Sequence, residues 1–114
     1  MNNKIVELLT PIGIPILYGT RTDINTFPII VFNIIDMPVT TMDDIDIWIK
    51  YNITINVIAD AKDIIKLVDE VKKIMAKNQF RRNMCPSMIY DEKLCKYNQA
   101  LVFDYYGEVI YSEE

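Results

Sequence analysis

Apolar and polar residues alternate from Ile45 to Ala59, with Ile45, Ile47, Ile49, Tyr51, Ile53, Ile55, Val57 and Ala59 at the odd positions. The even positions are mostly polar, reading Asp46, Trp48, Lys50, Asn52, Thr54 and Asn56, with Trp48 and Ile58 as the exceptions. A period of two held this long predicts a strand with one buried and one wetter face, and a slip of one residue would invert it. At about 3.3 Å per residue the stretch reaches about 50 Å, against a radius of gyration of about 13 Å for a domain of this size. The strand is therefore expected either to bend at a bulge or to end in an arm whose apolar partner is another copy of the chain.

The other elements follow from the same reading. Asn2 or Asn3 is expected to cap a short helix carrying Ile5, Leu8, Leu9 and Ile12 at helical spacing, stopped by Pro11. Ile14 to Tyr18 predicts a short strand ended by Gly19, and Arg21 to Thr26 a loop. A second strand is expected over Pro28–Asp36, its near-continuous apolarity implying burial on both faces or at an interface. Met37 to Asp44 then reads as a hairpin connection with an acidic tip.

Asp60 is expected to cap the main helix, with Asp63 in its first turn and Lys72, Lys73 and Lys77 towards its end, each sign suiting the helix dipole. Its apolar stripe is Ile64, Ile65, Leu67, Val68, Val71, Ile74 and Met75, and Asn78 is expected to close it in a left-handed conformation ahead of Phe80. The segment from Arg81 to Lys96 predicts a loop or ragged hairpin. Tyr97–Tyr106 predicts a last strand, with Tyr97, Leu101, Phe103 and Tyr105 on one side, Ala100 and Val102 on the other, and Gly107 breaking it. Val109 to Tyr111 would continue it, and Ser112 to Glu114 reads as a solvated tail. Short links between strands imply antiparallel pairing with helices on one side. The expected class is thus α+β: residues 1–114 as one domain, an antiparallel sheet with a long β-hairpin, one main helix on one face and a short N-terminal helix.

Composition narrows the chemistry more than it names a function. The chain of 114 residues has a net charge of −4, which disfavours a nucleic-acid binder relying on clustered Lys and Arg. Pro11, Gly13 and Pro15 interrupt the N-terminal apolar run, so no signal peptide is expected, and no run approaches the roughly 20 apolar residues that span a bilayer. A reducing cytoplasm follows as the expected compartment, in which Cys85 and Cys95 are free thiols; a turn near Tyr90 would leave a disulfide between them geometrically conceivable.

There is no His, which removes the commonest acid–base group and metal ligand, and Gly13, Gly19 and Gly107 lie too far apart for a phosphate-cradling loop. No catalytic residue, cofactor or metal is expected. Asp43, Asp44 and Asp46 read as a solvated hairpin tip or an assembly contact, and Arg81 with Arg82 as a solvated pair or a contact for a phosphate or carboxylate. Trp48, stranded among polar neighbours, either covers the edge of its own sheet or meets a partner, and Tyr105 and Tyr106 carry the same two readings.

Taken in order, Pro15-Ile-Leu-Tyr18-Gly19, Ile30-Val-Phe32-Asn33, the Asp43-Asp44 pair, Tyr51-Asn-Ile53-Thr-Ile55-Asn-Val57, Phe80-Arg81-Arg82, Tyr90-Asp91, and finally Tyr97, Ala100 and Phe103 form a pattern. It resembles the small tail completion proteins of long-tailed bacteriophages and prophages, also called tail terminator or tail-to-head joining proteins. The resemblance runs from Pro15 onward and lies in the order of elements rather than in one motif. Asn78-Gln79 stands where that family commonly has Gly before Phe80.

The resemblance implies a structural protein without enzymatic activity. It would form a homo-oligomeric ring, typically a hexamer, which stops polymerisation of the tail tube and presents a face to the head connector. DNA would pass through the lumen without specific binding, and no membrane would be involved. The chain would reside in the host bacterial cytoplasm during assembly and in the tail or neck of the virion afterwards. A related neck or minor capsid protein shares the same α+β plan, and a small cytoplasmic ligand-binding or enzymatic domain is the rival from another class.

Overall fold

The computed structural model describes residues 2–19, 27–42 and 45–108. Along the chain run α1 (Asn2–Leu9), a 3-10 turn (Thr10–Ile12), β1 (Ile16–Tyr18), β2 (Ile29–Met42), β3 (Ile45–Ala59), α2 (Ala61–Lys77), β4 (Arg81–Met84), β5 (Ile89–Asp91) and β6 (Lys96–Glu108). The class is α+β, as the sequence predicts: a six-stranded sheet in the order β1-β2-β3-β6-β4, with β5 also paired to β6.

The alternating stretch is β3, and it lies at the centre of the sheet between β2 and β6. Its odd face is the buried one: Ile53, Ile55, Val57 and Ala59 are fully buried together with Phe32, Leu101 and Phe103. Helix α2 lies over this face and contributes Ile64, Leu67, Val68, Val71 and Met75, while α1 adds Ile5 and Leu9, four residues apart on one side of the helix. Ile65 departs from the expected stripe. It is exposed, because burial along α2 follows positions 64, 67/68, 71 and 75, which leaves position 65 off the contact line.

Several expectations change at the ends of elements. Asn2 and Asn3 lie inside the first turn of α1 rather than ahead of it. The helix gives way after Leu9 to the 3-10 turn containing Pro11, closed by Gly13 at φ 87°. Asp60 does occupy the N-cap of α2, but its side chain caps nothing; its carbonyl accepts from the Asp63 and Ile64 amides, and its carboxylate pairs with Lys96 at 3.1 Å.

At the other end the left-handed residue is Gln79 (φ 70°), not Asn78 (φ −102°). The amide of Gln79 donates to the Ala76 carbonyl and that of Phe80 to the Met75 carbonyl, a Schellman closure that carries Phe80 into the same buried core cluster as Met75. Asn78 instead donates its side-chain amide to the Ile74 carbonyl at 2.8 Å. Gln79 therefore occupies, at a conformational cost, a position that suits glycine.

The largest correction concerns 37–44. Strand β2 continues through Pro38 to Met42, so most of the expected connection is strand, with register shifts after Pro38 and Thr40. The backbone explains why proline is tolerated there. The Ile30 amide donates to Pro15 and the Phe32 carbonyl accepts from Gly19, so even positions of β2 turn their polar backbone atoms outward, away from β3. Pro38 shares that parity, and its missing N–H removes no bond of the β2–β3 ladder.

Within the expected span up to Asp36, burial on both faces holds for Ile29, Ile30, Val31 and Phe32, whereas Ile35, and Met37 just beyond it, are exposed. A small second cluster of Ile29, Val31 and Ile58, with Phe27 and Leu94 against it, accounts for the covered part of the other face.

Pairing is antiparallel except between β1 and β2, which run parallel, contrary to the expectation for consecutive strands. The region read as loop or ragged hairpin supplies β4 and β5, both against β6. Gly107 does not end β6: the strand runs on to Glu108, and Gly107 sits opposite Ile49, where a Cβ would stand 3.2 Å from the Tyr51 ring. Cys85 and Cys95 are free and exposed, with Cys95 inside the β5–β6 turn at φ 56°. The expected loop at 21–26 and the stretch from 109 to the C-terminus lie outside the described residues. Among the described residues no helix is long and apolar enough to cross a membrane.

Candidate functional site

β3 has 15 residues, about 50 Å of extended chain, and the molecule measures 52 × 26 × 24 Å with a radius of gyration of 15.7 Å against the roughly 13 Å of a compact domain. The strand does outrun the helix packed on it, and irregularities in the β2–β3 register after Pro38 and Thr40 fall on the same outer stretch. The 17 residues of α2 cover only about 25 Å of the strand's length. What extends beyond the helix is the outer part of β2, β3 and β6, three strands wide as far as the pairing of Trp48 with Glu108.

Both margins of this arm are open among the described residues. On one side β1 pairs with β2 only at Ile30, Val31 and Phe32. Since even positions of β2 point outward, the N–H and C=O groups of Ile34 and Asp36 and the carbonyl of Pro38 face that margin. On the other side, alternation carried across the β2–β3 and β3–β6 registers turns the odd positions of β6 inward and the even ones outward. The pairing of β4 with β6 reaches no further than Asp104, so Tyr106 and Glu108 present free backbone groups beyond it.

The two broad faces differ. Towards the helices, Phe80 stacks on Tyr105 with ring centroids 4.6 Å apart, Tyr51 lies 6.4 Å from Tyr105, and Lys4 donates to the Tyr105 hydroxyl at 2.9 Å. Tyr105 is thus engaged within the subunit, at the base of the arm. On the helix-free face a polar centre, in which Asp104 accepts from Asn52 at 3.1 Å and Asn83 at 3.0 Å and pairs with Lys50 at 3.7 Å, is bordered by exposed Ile35, Met37, Met84 and Tyr106. Antiparallel sheets often leave one face to water; four large apolar side chains around a satisfied polar centre suit a face that is wet in the free subunit and coverable in an assembly.

The candidate contacts distribute unevenly. Asp43 and Asp44 lie outside the described residues. Asp46 and Trp48 fall in the outer half of β3, Asp46 opposite Thr41 and Trp48 opposite Thr40 and Glu108. Tyr105 and Tyr106, adjacent in sequence, go to opposite faces of β6, and only Tyr106 is exposed. Sequence reasoning missed Ile35, Met37 and Met84: Ile35 because a continuous apolar run gives no sign of which residues lie past the end of the helix layer, and Met37 because it reads as the start of the connection rather than as strand.

Arg81 and Arg82 are both exposed, on β4 beside Asp104 and Phe103. Arg82 joins Lys72, Ala76, Phe80 and Phe103 around a groove of about 290 Å³ between the C-terminal half of α2 and the sheet. Comparison of the chain with protein-family models gave no match, and comparison with curated proteins gave none either.

Proposed function

We propose that this chain is a structural subunit that assembles through its arm into a closed ring, and that the ring caps the head-proximal end of a phage or prophage tail tube, halts its growth and joins it to the head connector. The observation that carries the assembly is the pair of open margins on one projecting arm. β2 and β6 are both antiparallel to β3 and hence parallel to each other. A neighbour that lays its β6 margin along the β2 margin continues the sheet head-to-tail, and a heterologous contact of this kind closes into a ring when the rotation fits. The place in the tail rests on the resemblance of the sequence to tail completion proteins.

Adding purified chain to polymerising tail-tube subunits tests the reading. Tubes fixed at the length reached on addition, each with a ring at one end in electron micrographs, are the expected result. Tubes that grow on unchanged would refute the capping role, and a ring bound to connector but never to tube would move the chain to the neck of the particle.

A further inference from the structure

Charge is distributed very unevenly along this chain. Five of its twelve cations, Lys72, Lys73, Lys77, Arg81 and Arg82, fall within residues 71–90, a stretch holding none of its sixteen acidic residues. The fold gathers two of them at the groove described above, where Lys72 and Arg82 flank a floor formed by Phe80 and Phe103, both nearly fully buried. Among the described residues neither cation has a carboxylate within salt-bridge distance. The half-buried stem of Lys72 lies on apolar surface while its charge remains unmatched.

The matching charge is on the arm. From residue 36 to residue 59 the chain carries Asp36, Asp43, Asp44 and Asp46, and the sole cation in that stretch, Lys50, is already paired with Asp104. A subunit does not bring these two regions together by itself. The groove lies at the level of Phe103, which pairs with Ile53, and Asp46 is seven residues further out along the same strand, about 23 Å away.

We propose that the Lys72–Arg82 groove is the socket for the acidic end of a second copy's arm. This rests on the ring reading above and adds the surface that receives the arm: backbone pairing along the open margins supplies the attachment, and the unmatched cations set which stretch of the neighbour is accepted and in what register. Opposite charges on separate copies steer encounter and disfavour wrong pairings, and a net-negative subunit with one basic socket discriminates strongly between head-to-tail and tail-to-tail approach.

The test compares the wild type with two charge reversals, Lys72→Glu with Arg82→Glu in the socket and Asp43→Lys with Asp44→Lys in the arm, by light scattering and sedimentation over a range of concentrations. Each reversal alone is expected to weaken association at least tenfold, an equimolar mixture of the two to recover it, and added salt to weaken the wild type. Lys72→Gln with Arg82→Gln, checked by circular dichroism for an intact fold, should give an intermediate loss.

If the wild type associates and the socket reversal associates equally well, the socket is overturned while the ring stands. If the wild type does not associate at any concentration, or at tube ends, the ring reading itself fails. Duplex DNA retained by the wild type and lost on socket reversal, with association unchanged, would assign the groove to phosphate instead.

Discussion

Two neighbouring isoleucines of the sheet separate the core from the arm. Ile53 is fully buried, whereas Ile35, paired with the adjacent Asn52, is 61% exposed in the subunit. Truncating Ile53 to alanine removes buried methyl groups under α2 and leaves a cavity, at a cost of about 2–5 kcal/mol. Burying a whole isoleucine contributes about 1.5–3 kcal/mol, so with only some two-fifths of its surface covered, Ile35→Ala should cost about 1 kcal/mol or less. At about 4 °C per kcal/mol for a chain of this length, Ile53→Ala lowers the melting temperature by roughly 8–20 °C and Ile35→Ala by at most about 4 °C. Thermal melts followed by circular dichroism on dilute protein measure both. The same Ile35→Ala should weaken association at higher concentration, because its exposed part is the part a neighbour would cover. Equal losses for the two variants in dilute protein would refute the reasoning, since Ile35 would then be packed within the subunit and the arm would not project.

Three further outcomes follow. Gln79→Gly should raise stability by about 0.5–1 kcal/mol in urea denaturation, because the left-handed backbone at φ 70° strains a residue with a Cβ and glycine adopts it freely, less the greater entropy glycine brings to the unfolded chain. Asp104→Ala should cost about 1.5–3 kcal/mol with an unchanged denaturant slope, since it removes a partly buried ionised acceptor serving Asn52, Asn83 and Lys50 at once. The Tyr90 phenol is held above its ordinary value, first by the side-chain hydrogen bond with Cys95 and then by the charge of that thiolate. Its contribution to stability is complete below the ordinary tyrosine value and is lost as pH rises through the raised one, and Cys95→Ala should bring the Tyr90 titration down in difference absorbance.

How far the sequence discloses this molecule depends on how much of each element is covered. β3 shows its full length because alternation persists even where its faces are only half-covered. The outer part of β2 is hidden by Pro38, which reads as a break unless one knows that its nitrogen faces an open margin, a fact set by parity with β1 and not by local sequence. β4 is exposed at every position and so offers no periodicity to read. Ile65 joins the apparent stripe of α2 because hydropathy alone does not fix where the contact line falls. The groove of Lys72 and Arg82 is beyond sequence patterning altogether: the two cations line it together because α2 runs back along β3 and the Schellman turn at Gln79 sends β4 alongside β6.

The mismatch between α2 and β3 connects these features. A helix of 17 residues covers about 25 Å, and a strand of 15 residues extends about 50 Å. The helix layer therefore ends near Phe80 and Tyr105, and among the described residues the sheet continues without a second layer. Monomeric proteins guard such a projection by shortening or closing its edges, because free backbone groups flanked by exposed apolar side chains recruit other strands. Among the described residues, the β2 margin is guarded by Pro38 and the nearby shifts in register, and the outward-facing groups of Ile34 and Asp36 short of them have no strand partner. That placement limits indiscriminate pairing along the whole arm yet leaves a short stretch able to add one strand. A partner that fills it must also match the acidic outer arm, and the same molecule carries unmatched cations on another surface. Under the proposed arrangement subunits would pair by complement rather than by like with like, and repeated contacts of that kind would lead to rings or filaments, not to a two-fold dimer.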